Sequence, residues 1–230
     1  MGRGRSKVGG GGGGGSKQVT TVTVQSGATV QLDQPLVYGA KDPAVTGAVR
    51  TAIEAQETKR LTAKVEYAYV ADQNGNQIGS ERRGGAGSVS TPLWYFQQDA
   101  TFTHNHPRNN TNEAGYLGGT FSNADLYSFS STRIRTFRAS AAEGTYSISK
   151  TSAFHARQFM RYANSLDKTA TSNHKARVNK LAADVSSGKL TWSAYKQQTS
   201  NSFNSMLIEL HNGLLAGQAQ YGYTYTLEGR

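Results

Sequence analysis

The hydrophobic periodicity of the chain changes near Thr151. Before it, side chains of one character fall at every second position. Ala100 and Phe102 lead into His104 and His106 on one side of an extended segment, the pattern of a strand with one buried face. After it, apolar residues return every three to four positions, as an amphipathic helix requires. Three such stripes follow in order: Ala153 to Leu166, Val178 to Val185, and Phe203 to Leu214. The chain is therefore expected to be α+β, with a mixed-sheet core over 19–150 and a helical C-terminal extension over 151–230. Within that extension Tyr221, Tyr223, Tyr225 and Leu227 alternate with small polar residues, which predicts a final edge strand.

Inside the first part, Asp42-Pro43 precedes Val45, Val49, Ala52, Ile53 and Gln56 at helical spacing. This predicts a helix from Asp42 to about Leu61, capped by Asp42 and lying against a sheet. Asp72-Gln73-Asn74-Gly75 holds an Asn-Gly pair between extended segments, the signal of a hairpin turn. A further extended piece is expected around Ser88 to Tyr95, a short helix over Ser122 to Ser130, and a second hairpin from Arg133–Arg138 and Thr145–Lys150. Residues 1–18 stand apart: nine of the 26 glycines lie there beside Arg3, Arg5, Lys7 and Lys17, with no acid. Glycine loses the most backbone entropy on ordering, so a flexible basic tail is expected.

At 230 residues and 36% hydrophobic content the chain can build its own core. The absence of cysteine excludes disulfide frameworks, Cys-ligated zinc, iron–sulfur clusters and thiol catalysis, so any metal must be held by His, Asp or Glu. No apolar run is long enough to span a membrane, and a cytoplasmic location is expected. The net charge of +10, with nine basic residues against four acidic ones after Thr151, fits a weak polyanion contact through the basic tail and helices. Nothing in the sequence sets an oligomeric state.

Chemistry concentrates at Thr103-His104-Asn105-His106-Pro107. Histidines at i and i+2 of a strand project from one face, close enough for both imidazoles to reach one ion, and Pro107 ends the strand. Downstream, Ser122-Asn123-Ala124-Asp125 offers either a third ligand or a capping box, in which Ser and Asp serve each other's backbone amides. Glu66 shares an otherwise apolar strand face with Ala68 and Val70, whereas Glu81 beside Arg82 and Arg83 reads as a solvated loop charge. His155, His174 and His211 lie on expected helices without ligand spacing and read as surface residues. The letters His104-Asn105-His106 do not indicate an HNH nuclease, whose three residues are spread over a ββα element.

These residues resemble the JAMM (MPN, Mov34-type) metalloprotease superfamily, whose pattern is an upstream Glu, then His-x-His-Pro, then Ser-x-x-Asp. The likeness is greatest to the RadC-like branch and to phage-associated JAMM-like domains, and it covers about Leu61 to Lys150. Gly144-Thr145-Tyr146 is similar to a Gly-x-Tyr hairpin of the phage-type domains. The resemblance implies a cytidine-deaminase-like core and a Zn2+ ion held by His104, His106 and Asp125. It further implies Glu66 as general base, Ser122 as a donor to the tetrahedral intermediate, and a peptide or protein substrate cut at a peptide or isopeptide bond. An association with phage particles also follows from it, as does an alternative: a non-catalytic structural or adaptor protein on the same scaffold. The fifteen residues between His106 and Ser122 are about twice the family's usual spacing, so Arg108 to Gly118 is expected to bulge as a loop, which costs little closure entropy.

Overall fold

A sheet of six strands organises the chain, with one face apolar and the other lined by hydroxyls and charges. The computed structural model describes residues 16–23, 29–107 and 116–230. An antiparallel pair, β1 (Lys17–Thr23) and β2 (Thr29–Tyr38), comes first, then helix α1 (Gly47–Arg60). The sheet strands are β3 (Tyr67–Ala71), β4 (Arg82–Arg83), β5 (Thr101–Asn105), β6 (Thr136–Ala141), β7 (Gly144–Lys150) and β8 (Tyr223–Glu228), with α2 (Asn123–Ser131) between β5 and β6. Helices α3 (Ala156–Ser186), α4 (Trp192–Ala216) and the short α5 (Gln218–Tyr221) separate β7 from β8. The strand order is β4-β3-β5-β6-β7-β8, and only β5 and β6 run parallel. A parallel pair needs a crossover, which α2 supplies. The fold is thus mixed α+β on a mixed sheet, and β8 is its edge strand, as the tyrosine alternation predicts.

Strand alternation sorts the two faces. Ala68, Val70, Phe102, Phe137, Ile148, Tyr225 and Leu227 are buried in one hydrophobic cluster with Phe129 of α2, Phe159 of α3 and Ile208 of α4. The opposite face carries Thr103, Arg138, Ser147 and Glu228, all buried, beneath α1 and the segment before it. Arg138 binds Glu57 of α1 through Nε to Oε1 at 2.7 Å and Nη2 to Oε2 at 3.1 Å. It also binds Glu228 of β8 through Nη1 to Oε1 at 2.9 Å and Nη2 to Oε2 at 3.0 Å. Burial alone would lower the Arg138 pKa, but these two carboxylates outweigh it and raise it.

Three expectations are corrected. The first helix starts at Gly47 with Thr46 as its N-cap residue, not at Asp42. Asp42 instead turns its carboxylate into the polar face, where Oδ2 accepts from Ser147 and Ser149, each at 2.7 Å. Ser88 to Tyr95 forms no strand; it ends in a 3-10 turn at Leu93–Tyr95, and the Tyr95 hydroxyl oxygen accepts from the Ser80 amide at 2.9 Å. The first two apolar stripes share one 31-residue helix, in keeping with the expected helical extension. His211 is fully buried rather than at the surface. The Asn-Gly turn does form: Gly75 has φ +85° and packs so closely on the Ala48 backbone that a Cβ would come within 2.7 Å of it. Its return arm is a single bridge, Ala71 to Gln77. Of the flexible tail expected over 1–18, residues 1–15 lie outside the described residues, while Lys17 and Gln18 open β1; of the loop expected over 108–118, residues 108–115 lie outside them and 116–118 are in no helix or strand. Among the described residues no helix is long and apolar enough to cross a membrane.

His211 ties three elements together. Its Nε2 donates to the Val37 carbonyl of β2 and its Nδ1 accepts from the Tyr225 hydroxyl of β8, both at 2.9 Å. Burial pushes its pKa down to about 4, against an ordinary value of about 6.5. The unfolded chain therefore binds the proton more readily, so this contribution is complete above pH 6.5 and declines as pH falls toward 4. Between pH 7 and 4.5 the wild type is expected to lose about 2.5 kcal/mol through this residue. Urea unfolding of the wild type and of His211→Gln at both pH values checks this; equal losses in the two proteins would contradict it.

Candidate metal centre

The site forms where β3, β5 and the start of α2 meet on the apolar face. In the antiparallel register Ala68 faces His104 and Val70 faces Phe102, which places the His104 side chain on the face shared by Ala68 and Glu66. The regular ladder stops there, and the side chain of Asn105 continues it. The Tyr67 amide donates to Asn105 Oδ1 at 2.7 Å, and Asn105 Nδ2 donates to the Val65 carbonyl at 3.1 Å. Asn105 therefore grips the backbone on both sides of Glu66. The residue between the histidines carries a positioning role that sequence analysis missed, although a polar amide fully enclosed at a strand end is the signal that could have found it.

The three expected ligands come together. His104 Nε2 lies 2.9 Å from His106 Nε2 and 3.3 Å from Asp125 Oδ1, and His106 Nε2 lies 3.8 Å from Asp125 Oδ2. Donors around a tetrahedral zinc with bonds of about 2.0–2.1 Å stand about 3.3 Å apart, so these separations suit a small divalent ion. The proton on His106 supports the same conclusion. Its Nδ1 is 3.0 Å from the Gly119 carbonyl, which can only accept, so Nδ1 carries the hydrogen. In the neutral ring, Nε2 then turns its lone pair toward His104 and Asp125. Lone pairs converging at this distance need a proton or cation among them, and this His-His-Asp group could hold a metal ion. Burial disfavours the charged form of His106, yet the Asp125 carboxylate more than offsets it and raises the pKa. Burial also pulls the Asp125 carboxyl up, but the two imidazoles outweigh it and hold Asp125 well below the usual carboxylate range. His104 Nδ1 is buried with no hydrogen-bond partner among the described residues.

Ser122 and Asp125 form the capping box at the start of α2. Asp125 Oδ2 accepts from the Ser122 amide at 2.8 Å and from its hydroxyl at 2.6 Å, while the Asp125 amide donates to Ser122 Oγ at 3.2 Å. Capping and a ligand role thus coexist, because Oδ1 is left for His104. Glu66, which precedes β3, is buried and lines one cleft with His106, Ser122 and Asp125. Burial raises its pKa, and the charges of His104 and His106 pull part of that rise back. Glu81 is outside this cleft. It is not a solvated loop charge, since it is ion-paired with Arg60.

A second residue missed in the sequence sits behind His106. Glu143, in the turn between β6 and β7, is buried. Its Oε2 accepts from the Gly118 amide and its Oε1 from the Gly119 amide and the Tyr146 hydroxyl, each at 2.8 Å. Gly119, at φ +88°, then aims its carbonyl at His106. A glutamine at 143 has one acceptor oxygen for two amides and a hydroxyl, so Glu143→Gln is expected to weaken metal retention roughly tenfold to a hundredfold. Chelator competition measures this, and a change below twofold would show that the turn holds His106 unaided.

No protein-family model, no curated protein and no solved structure matches this chain.

Proposed function

We propose that the chain is a zinc-dependent hydrolase of peptide or isopeptide bonds on a JAMM-like core. The observation that carries this reading is the convergence of His104, His106 and Asp125 beside a buried Glu66 carboxylate in the same cleft. Those three residues would hold the zinc, which when bound would supply Lewis acidity toward the amide carbonyl and lower the pKa of a water toward about 7. Glu66 is the chain's proton carrier: it accepts the proton of the attacking water and later delivers it to the leaving amine. Its place outside the ligand set and its burial both suit that task. Ser122 lines the cleft with its hydroxyl turned to Asp125; rotated outward, it would donate to the oxyanion. Asn105 and Glu143 hold Glu66 and His106 in position and need not touch substrate.

The test begins with metal analysis. The purified protein is expected to carry about one zinc per chain, and His104→Ala, His106→Ala and Asp125→Ala should each lower the content. Full retention in all three would remove the site. A zinc-loaded wild type that cleaves nothing across peptide and isopeptide libraries would remove the hydrolase reading and leave a metal-binding scaffold.

A further inference from the structure

The cleft that holds Glu66, His106, Ser122 and Asp125 has a volume of about 340 Å³, within the range of small-ligand sites. Its walls beyond those residues combine aromatic and aliphatic side chains with the hydroxyls of Ser88, Ser90, Thr91 and Ser128. Phe102 and Phe137 form the floor, their rings stacked with centroids 4.4 Å apart. Phe96 stands against both, at 5.5 Å and 6.0 Å. Val89 and Leu93 close the rim, and Leu93 is 80% exposed. Charge distribution is as telling as shape. The chain carries 25 Lys and Arg, yet none among the described residues lines this cleft. Its two carboxylates, Glu66 and Asp125, are both engaged electrostatically with the imidazoles.

We infer that the cleft takes a peptide with an aromatic or branched aliphatic side chain next to the scissile amide, seated on the platform of Phe96, Phe102 and Phe137. This rests on the hydrolytic reading above and adds the substrate class. An acidic side chain seated on the rings, away from the metal ligands, would meet the Glu66 and Asp125 carboxylates with no lysine or arginine among the described lining residues to pair it. A basic one would have to leave water over an aromatic floor, or compete with His104 and His106 for carboxylates that already have partners. A large apolar side chain loses nothing on entering and is stabilised by burial and by edge or stacked contact with the rings. Burial of this size corresponds to at least a tenfold preference over glycine.

The test uses the zinc-loaded Glu66→Gln protein, which binds without turning over, and blocked tripeptides Gly-X-Gly with X = Phe, Leu, Gly, Glu or Lys. NMR titration gives Kd for each. Phe and Leu are expected to bind at least tenfold more tightly than the other three, in keeping with the burial of a large apolar side chain. Introducing Phe96→Ala, or Leu93→Ala at the exposed rim where folding is not at stake, should cut that advantage to about a third or less while zinc content stays constant. Equal Kd values, a preference for Glu or Lys, or no binding by any peptide would overturn the inference. Mass-spectrometric cleavage profiling with the wild type separates it from the hydrolytic reading. Apolar-selective binding without cleavage sinks the hydrolase and leaves the apolar site standing; cleavage without enrichment of apolar residues sinks the apolar site alone.

Discussion

Glu66→Gln is expected to keep the fold and the zinc and to lose at least a hundredfold in turnover. The change is isosteric, and the backbone bonds that fix the residue survive it: the Glu66 amide to the Gly85 carbonyl at 2.7 Å, the Gly84 amide to the Glu66 carbonyl at 2.8 Å, and the Asn105 amide on either side. What disappears is a buried carboxylate whose pKa burial raises, and with it a general-base contribution of about 10²–10⁴ in rate. Glu81→Gln is the control. Its carboxylate pairs with Arg60, whose guanidinium lies 3.8 Å above the Tyr67 ring, and a partly exposed pair at the surface contributes about 1 kcal/mol or less. Turnover should therefore be nearly unchanged in Glu81→Gln. Hydrolysis of any substrate found in the library screen, followed with zinc content measured in parallel, decides the matter. A Glu66→Gln protein with wild-type turnover would transfer the base role elsewhere.

The local parts of the site were legible because their signals are local. Same-face histidines follow from strand alternation, and Ser-x-x-Asp at a helix start follows from the four unpaired amides there. What the sequence did not disclose depends on partners distant along the chain. Asp42 looked like a helix cap because Asp before Pro so often is one; Ser147 and Ser149, more than a hundred residues on, claim its carboxylate instead. His211 looked superficial because nothing nearby marks it, yet it is the joint between Val37 and Tyr225. The division of α3 into two stripes came from a rotation of the apolar face between Leu166 and Val178. The better guide was the absence of any Gly or Pro from 156 to 187, which leaves nothing to end the helix. The polar face of the sheet escaped notice for the same reason as Asp42: Thr, Ser and Arg alternating on strands read as solvent-facing until a charged helix is found above them.

That polar face gives the largest expected loss of stability. Arg138→Met, similar in length and without charge, should destabilise the protein by about 3–5 kcal/mol at pH 7, the usual scale for removing one partner of a buried ion pair. Arg138 is 1% exposed and makes four bonds to the carboxylates of Glu57 and Glu228. Its loss leaves Glu57 with the Thr103 hydroxyl at 2.9 Å and a longer contact to Thr145 at 3.4 Å. Glu228 is left with the Asp42 amide at 2.7 Å and Arg50 at 3.3 Å. Arg138→Lys should recover only part of the loss, because an ammonium cannot bridge two carboxylates in the planar, bidentate manner of a guanidinium. Adding Glu57→Gln and Glu228→Gln to Arg138→Met should recover more, since the penalty comes from stranded charge rather than lost packing. Urea unfolding of the four proteins separates the cases, and an Arg138→Met protein within 1 kcal/mol of wild type would show that water reaches this cluster. Arg138 is paired with Thr103 across β5 and β6, one residue from His104 but on the opposite face. The same variant, kept folded well below its midpoint, should therefore still bind zinc, which makes the two faces of the sheet separable by experiment: the ion-pair cluster lies on one and the site on the other.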